Sequence, residues 1–198
     1  MGTRKARRST STPESIHQLK VSLRNVRPPV WRRLQVASDT SLGDLHVILQ
    51  AAMGWEDYHL HLFSIGGETY ADDRVEGGWD GPPHDEDLAR MDQVTPVGAR
   101  LRYEYDFGDR WEHDIVVEKV LPPEPTVTYP RCLAGRRACP PEDCGGPWGY
   151  ANLLEAIADP KHPAHEELLE WVGAEFDPEA LDTAAVNALL AHRSPRRT

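Results

Sequence analysis

Three cysteines, Cys132, Cys139 and Cys144, fall within thirteen positions of a 198-residue chain that also carries nine histidines. Thiolates together with imidazoles are the donors zinc favours, four of them in a tetrahedral array. Pro140-Pro141 and Gly145-Gly146 would hold the intervening backbone in a fixed, non-helical path, as a metal knuckle requires. His113, His59 or His61 could supply the fourth donor, which makes zinc the cofactor this segment points to. The spacing argues the other way. Paired cysteines of zinc ribbons and fingers usually have two to four residues between them, whereas the first gap here is six and only the second, of four, reaches the edge of that range. The competing reading is three reduced thiols packed as small hydrophobes. An odd count in a chain expected to be cytoplasmic argues against a disulfide framework.

A second group of chemical residues surrounds two short segments. His59-x-His61 places two imidazoles on one face of a strand, because side chains alternate. With Asp106, Asp109 or His113 they could chelate a metal and leave a position open for water, the arrangement of a metal-dependent hydrolase. The His-Glu-x-x-His signature of zinc proteases is absent. The bland alternative has each histidine hydrogen-bonded to a carboxylate. His113 falls on the apolar parity, beside Trp111 and Ile115. An unpaired polar group buried there costs on the order of 1–3 kcal/mol, so it must be hydrogen-bonded, ion-paired or metal-bound. Trp111 joins Asp106 and Asp109 as a further candidate site residue. Gly145-Gly146-Pro147-Trp148-Gly149-Tyr150 precedes a helix, where backbone amides can hold an anion, but it matches no phosphate-loop or dinucleotide pattern.

The elements that must position these residues follow from periodicity. Leu101, Tyr103 and Tyr105, then Trp111, His113, Ile115 and Val117, alternate with polar residues and predict a β-hairpin. Gly108 stands in its loop, where a tight turn would use positive φ. Upstream, Ile16–Val26 and Val30–Val36 predict two strands broken by Pro28-Pro29. Ser41 caps a helix with the apolar stripe Leu42, Leu45, Leu49 and Ala52, which Gly54 ends. Tyr58–Phe63 and Thr69–Ala71 predict strands, and residues 72–92 a long acidic surface loop holding Trp79. Beyond the Pro-rich stretch 122–125 and the turn-rich segment 132–149 come three helices. They start near Pro147, near Pro163 and at an Asp177-Pro178 cap. The predicted fold is α+β: a β-grasp-like mixed sheet with one packed helix, followed by a C-terminal three-helix extension. Its parts are a basic arm (1–14), the sheet domain (15–121), a Cys/Pro/Gly-rich connector (122–149) and a helical region packed on the same domain (150–198).

Composition limits the partners. No apolar run approaches the ~20 residues of a membrane span, and no secretory leader is evident, so a cytoplasmic location and no membrane partner are expected. Net charge is −10, unevenly distributed. Arg4, Lys5, Arg7 and Arg8 at the start and Arg193, Arg196 and Arg197 at the end account for seven bases. The remainder holds 15 basic against 32 acidic residues. Such a body repels a phosphate backbone, so nucleic acid could be touched only through the basic N-terminal arm.

Several ordered motifs resemble the plasmid pRiA4b ORF-3-like family. They are Val30-Trp31-Arg32-Arg33-Leu34, Leu42-Gly43-Asp44-Leu45-His46, Met53-Gly54-Trp55, His59-Leu60-His61-Leu62-Phe63, Tyr105-Asp106-Phe107-Gly108-Asp109 with Trp111-Glu112-His113, and Cys139-Pro140-Pro141-Glu142-Asp143-Cys144-Gly145-Gly146. The resemblance runs from about Ile16 to Leu190. It implies a bacterial or archaeal α+β domain associated with plasmids and mobile elements, without an established biochemical role. Some relatives carry a transposon-resolvase label, and some are joined to a repressor-type DNA-binding domain. The nucleophilic serine and arginine cluster of a serine recombinase are not recognisable here, nor is a helix-turn-helix segment ahead of the domain. Three functions are therefore carried forward. The first is a non-catalytic binding or regulatory domain with a Cys/His metal site and a protein or small-molecule partner. The second is a metal-dependent hydrolase using the His/Asp cluster. The third is an accessory to DNA processing.

Overall fold

In a computed structural model, residues 13–76, 81–173 and 175–193 are described. The basic arm up to residue 12, Trp79, Arg196 and Arg197 lie outside them. Period-two alternation builds an eight-stranded sheet. Its strands are β1 (Ile16–Leu23), β2 (Trp31–Ala37), β3 (His61–Ile65), β4 (Glu68–Ala71), β5 (His84–Asp85), β6 (Arg100–Tyr105), β7 (Trp111–Leu121) and β8 (Arg131–Arg136). Spatial order is β5-β4-β3-β6-β7-β1-β2-β8. β4 and β5 run parallel, and every other neighbouring pair is antiparallel. The sheet is thus mixed. It shares with a β-grasp the opening hairpin and packed helix, but the second neighbour of β1 is the antiparallel β7.

The helices are α1 (Leu42–Met53), α2 (Met91–Val94), α3 (Gly146–Ala158), α4 (His165–Val172) and α5 (Thr183–Arg193). α1 begins and ends where its caps predict. Ser41 accepts a hydrogen bond from the Asp44 amide, and Gly54 closes the helix in the left-handed region at φ 83°. Leu42, Leu45, Ile48 and Leu49 are buried in the same cluster as Leu19, Leu34, Phe63, Tyr103, Trp111 and Ile115. α5 packs against α1 and β8. At that edge Asn187 accepts from the Cys132 amide at 2.7 Å and donates to its carbonyl at 3.0 Å. A side-chain amide thereby supplies the pairing a ninth strand would have given, which protects an otherwise open edge. Arg193, expected in a basic tip, ends α5 and donates to the Trp55 carbonyl and Glu56. Among the described residues no helix is long and apolar enough to cross a membrane.

Several expectations change. Cys132 lies in β8 rather than in a turn-rich segment. β3 begins at His61 instead of Tyr58. α5 is entered through Asp182, whose carboxylate accepts from the Ala184 and Ala185 amides, in place of an Asp177-Pro178 cap. The loop after β4 is not wholly at the surface. It returns to cover the start of α1, where the Leu42 amide donates to the Glu86 and Ala89 carbonyls, and it buries Met91 and Glu86. In the central hairpin the left-handed residues are Asp106 (φ 58°) and Arg110 (φ 56°), and Gly108 is not among them. Aspartate tolerates that region because its short side chain bonds nearby backbone.

Candidate functional site

The hairpin loop, the approach to β3 and the connector after β8 meet at one end of the sheet. Asp106 organises the loop: one carboxylate oxygen accepts from the Gly108 and Asp109 amides at 2.8 and 3.2 Å. Its other oxygen lies 3.6 Å from His59 Nε2. On the opposite side Asp143, held at φ 58°, brings an oxygen to 3.2 Å from the same nitrogen. His59 Nε2 is buried at the atom level yet has no hydrogen-bond partner. These three ligand atoms lie within 4.8 Å of one another, the one such group of three or more His, Cys, Asp or Glu among the described residues.

The connector is clamped onto the hairpin loop. Gly145 donates its amide to Asp109 Oδ2 at 3.0 Å. A Cβ on Gly146 would sit 2.3 Å from the Asp109 carbonyl oxygen, and one on Gly149 would sit 1.9 Å from that of Cys144. Glycine is required at both by close backbone approach. Glu142 receives Tyr105 Oη at 2.5 Å and the Glu56 amide at 2.8 Å, while Trp55 Nε1 donates to Pro140 O. Burial and the bond to Glu142 together push the Tyr105 phenol well above its ordinary value, so it stays protonated at physiological pH. The knuckle therefore does return to the sheet, but it delivers a carboxylate to the imidazole of His59.

The sulfur atoms go elsewhere. Cys139 sits against Met53 Sδ at 3.3 Å and the Arg32 guanidinium at 3.1 Å. Cys132 is buried in β8. Burial pushes the Cys139 thiol up to about 11, and burial with the Asp109 charge takes Cys144 to about 12. No three-donor group among the described residues unites these thiols with His59, His61 or His113. The three-cysteine centre expected from clustering is thus not assembled.

His61 and His113 belong to the core. The parity that carries Phe63 and Ile65 inward carries His61 with them, and β3 starts too late to keep His59 on that face. His61 Nε2 meets Glu86 at 2.8 Å, and its ring lies parallel to that of His46 with centroids 3.5 Å apart. His46 bonds Tyr103 Oη and Asp57, each at 2.8 Å. Gln50 donates to the same hydroxyl. The Asp57 carboxylate can only accept, so the neutral ring carries its proton on Nε2, facing Asp57, and Nδ1 accepts from the Tyr103 hydroxyl. Burial lowers the His46 pKa, consistent with that neutral tautomer, and its hydrogen bond holds Asp57 below the usual carboxylate range. Burial lowers His113 to about 4. It is fully enclosed, contacts the Tyr103 carbonyl through Nδ1 at 3.3 Å, and packs edge-on to Trp55. Trp111, 1% exposed, lies tilted against Trp55 within the same aromatic core and is not part of the three-donor group. Asp109 supports the connector through Gly145 without joining the three-donor group.

Of the predicted residues, the structure brings together His59 and Asp106 and adds Asp143, which the sequence reading passed over. The signal lay between Cys139 and Cys144, where an acidic pair is fixed by Pro140-Pro141 and Gly145-Gly146.

Comparison with known proteins returns the same sequence family. Residues 15–185 match the family model described as plasmid pRiA4b ORF-3-like protein. The chain is 42% identical over 175 residues to the uncharacterized protein y4hQ of Sinorhizobium fredii, covering 87% of this chain and 89% of that one. The crystal structure of MM3350, a protein of unknown function from Methanosarcina mazei Go1, is 39% identical. It superposes with a TM-score of 0.81 over 87% of this chain and 98% of its own.

Proposed function

This chain belongs to the plasmid pRiA4b ORF-3-like family, and from that premise we propose that it is a cation-dependent binding or regulatory domain. Its ion is held by His59, Asp106 and Asp143. One observation carries the reading: the His59 nitrogen is buried without a hydrogen bond, 3.2 and 3.6 Å from two carboxylate oxygens. Donors about 2.1 Å from a shared cation stand about 3.0–3.4 Å apart, so this spacing is close to that of a coordination shell. A neutral imidazole with two carboxylates supplies two negative charges, matching a divalent ion. The set suits zinc or manganese better than it suits a thiolate-preferring site.

Mn2+ binding, followed by loss of its free-ion electron paramagnetic signal and repeated with Zn2+ by calorimetry, tests the proposal. Wild-type protein binds one ion. His59→Ala and Asp143→Asn lose at least about tenfold in affinity while keeping the fold by circular dichroism, and Cys139→Ser binds as wild type. An undiminished affinity in the two ligand variants would sink it.

A second reading, metal-dependent hydrolysis, is favoured by the count of three protein donors, which leaves coordination positions for water. Asp143 is also 69% exposed, so the ion would be approachable. Turnover of an activated phosphodiester by the Mn2+-loaded protein, abolished in Asp143→Asn, would favour hydrolysis over binding alone. The DNA-accessory reading has its own test, since equal and negligible DNA retention with and without residues 1–13 removes it.

A further inference from the structure

A groove of about 780 Å3 is lined by the continuations of two segments that carry members of the three-donor cluster. Asp109 and Arg110 continue the loop that carries Asp106. Gly145, Pro147 and Trp148 continue the connector that carries Asp143. Its far wall is the turn holding Asn25 and Arg27. The volume is that of a small-molecule site.

The groove's charges are unequally committed. Glu112 is tied to Arg24 at 2.9 Å, and Asp109 Oδ2 receives the Gly145 amide. Arg27 has no hydrogen bond or ion pair among the described residues. Arg110 is 69% exposed, with its carboxylate partner Glu104 3.5 Å away. One guanidinium without such a partner and one held by a single 3.5 Å pair therefore line this groove, on a chain whose net charge is −10. Trp148, in the first turn of α3, is 89% exposed and offers a bare indole at the groove edge. Phe107 and Tyr58, neighbours in sequence of Asp106 and His59, are also exposed, at 42% and 74%. Exposed aromatics gathered on the segments of a site provide stacking surface for a planar group. Guanidiniums bind phosphate by paired, charge-assisted hydrogen bonds.

We infer that the groove binds a nucleoside phosphate, its base stacked on Trp148 and its phosphate held by Arg27 and Arg110. The divalent ion of the proposed cation site, on which this inference rests for the remaining phosphate charge, tightens that binding. A long polynucleotide is disfavoured, because outside the basic termini 15 bases oppose 32 acids, and extended phosphate would meet that field.

Calorimetric titration of the full chain with AMP, GMP, CMP and UMP, with and without Mn2+, tests this. At least one nucleotide binds, more tightly with Mn2+. The matching nucleoside and inorganic phosphate each bind about tenfold more weakly or worse. Trp148→Ala and Arg27→Ala each lower nucleotide affinity about tenfold and leave Mn2+ affinity unchanged. Failure of all four nucleotides to bind while Mn2+ binds normally overturns this inference and spares the cation site. Nucleotide binding that depends on Trp148 without any Mn2+ binding overturns the cation site and the ion's part in this inference, and leaves only the groove's own contacts to base and phosphate. Equal affinity for nucleoside and nucleotide also overturns it, since the guanidiniums would then have no role.

Discussion

Replacing Gly146 by alanine tests whether the site is held together by backbone contact. The added Cβ would stand 2.3 Å from the Asp109 carbonyl oxygen, 3.2 Å from its carbon and 3.4 Å from its Cα. Ordinary carbon–oxygen contact is about 3.3–3.6 Å, so about 1 Å of separation must be found. The atom in the way is backbone, and Asp109 is anchored by its amide to Asp106 and by its carboxylate to Gly145. Gly146 also sits at φ 67°, where an L side chain costs about 1–2 kcal/mol. Adding about 1–3 kcal/mol for overpacking gives about 2–5 kcal/mol, against a typical total of about 5–15 kcal/mol. Gly54→Ala is the control. Its φ is 83° and nothing lies within 4 Å of the new Cβ, so it loses only the conformational part, about 1 kcal/mol. Urea unfolding at unchanged m-value reads both losses as shifts in midpoint. Mn2+ affinity should also fall at least about tenfold in Gly146→Ala, because Asp143 and Asp106 are carried on the two surfaces forced apart, and stay unchanged in Gly54→Ala. A Gly146→Ala protein no less stable than Gly54→Ala would refute the close-packed junction.

Further outcomes follow from individual contacts. His113 titrates near 4 in the folded chain against 6.5 unfolded, so the unfolded state binds the extra proton first as pH falls. Its contribution is complete above pH 6.5 and shrinks toward pH 4 by about 3 kcal/mol; denaturation across that window should show a shallower slope in His113→Phe. Glu118 is held at about 2 chiefly by its hydrogen bonds to Arg33, so its contribution is present above 4.5 and lost as pH falls toward 2. Glu118→Gln should flatten acid unfolding in that lower range. Asn187→Leu strips both partners from Cys132 on the outer edge of β8 and should cost about 1–3 kcal/mol by urea unfolding. Alkylation by iodoacetamide at neutral pH should be slow at Cys139 and Cys144 in the native protein and fast in denaturant, since burial keeps both thiols protonated. Rapid native labelling of either would contradict their placement.

Local pattern determined much of this protein. Alternation in Leu101–Tyr105 and Trp111–Val117 specifies the hairpin, and Ser41 with Gly54 bounds α1, because each depends on residues only a few positions apart. The inward parity of His113 was legible for the same reason, and burial did follow. The α+β class and family came from the same order of motifs. What sequence could not decide is which donors share a space. Residues 59, 106 and 143 lie on three segments whose approach depends on sheet order and on the Gly146–Asp109 contact, neither written in any local window. Cysteine clustering along the chain suggested sulfur chemistry, but β8 took Cys132 into the sheet and Arg32 and Met53 enclosed Cys139. Nearness in sequence constrains where side chains begin; only packing of the whole chain sets where their donor atoms meet.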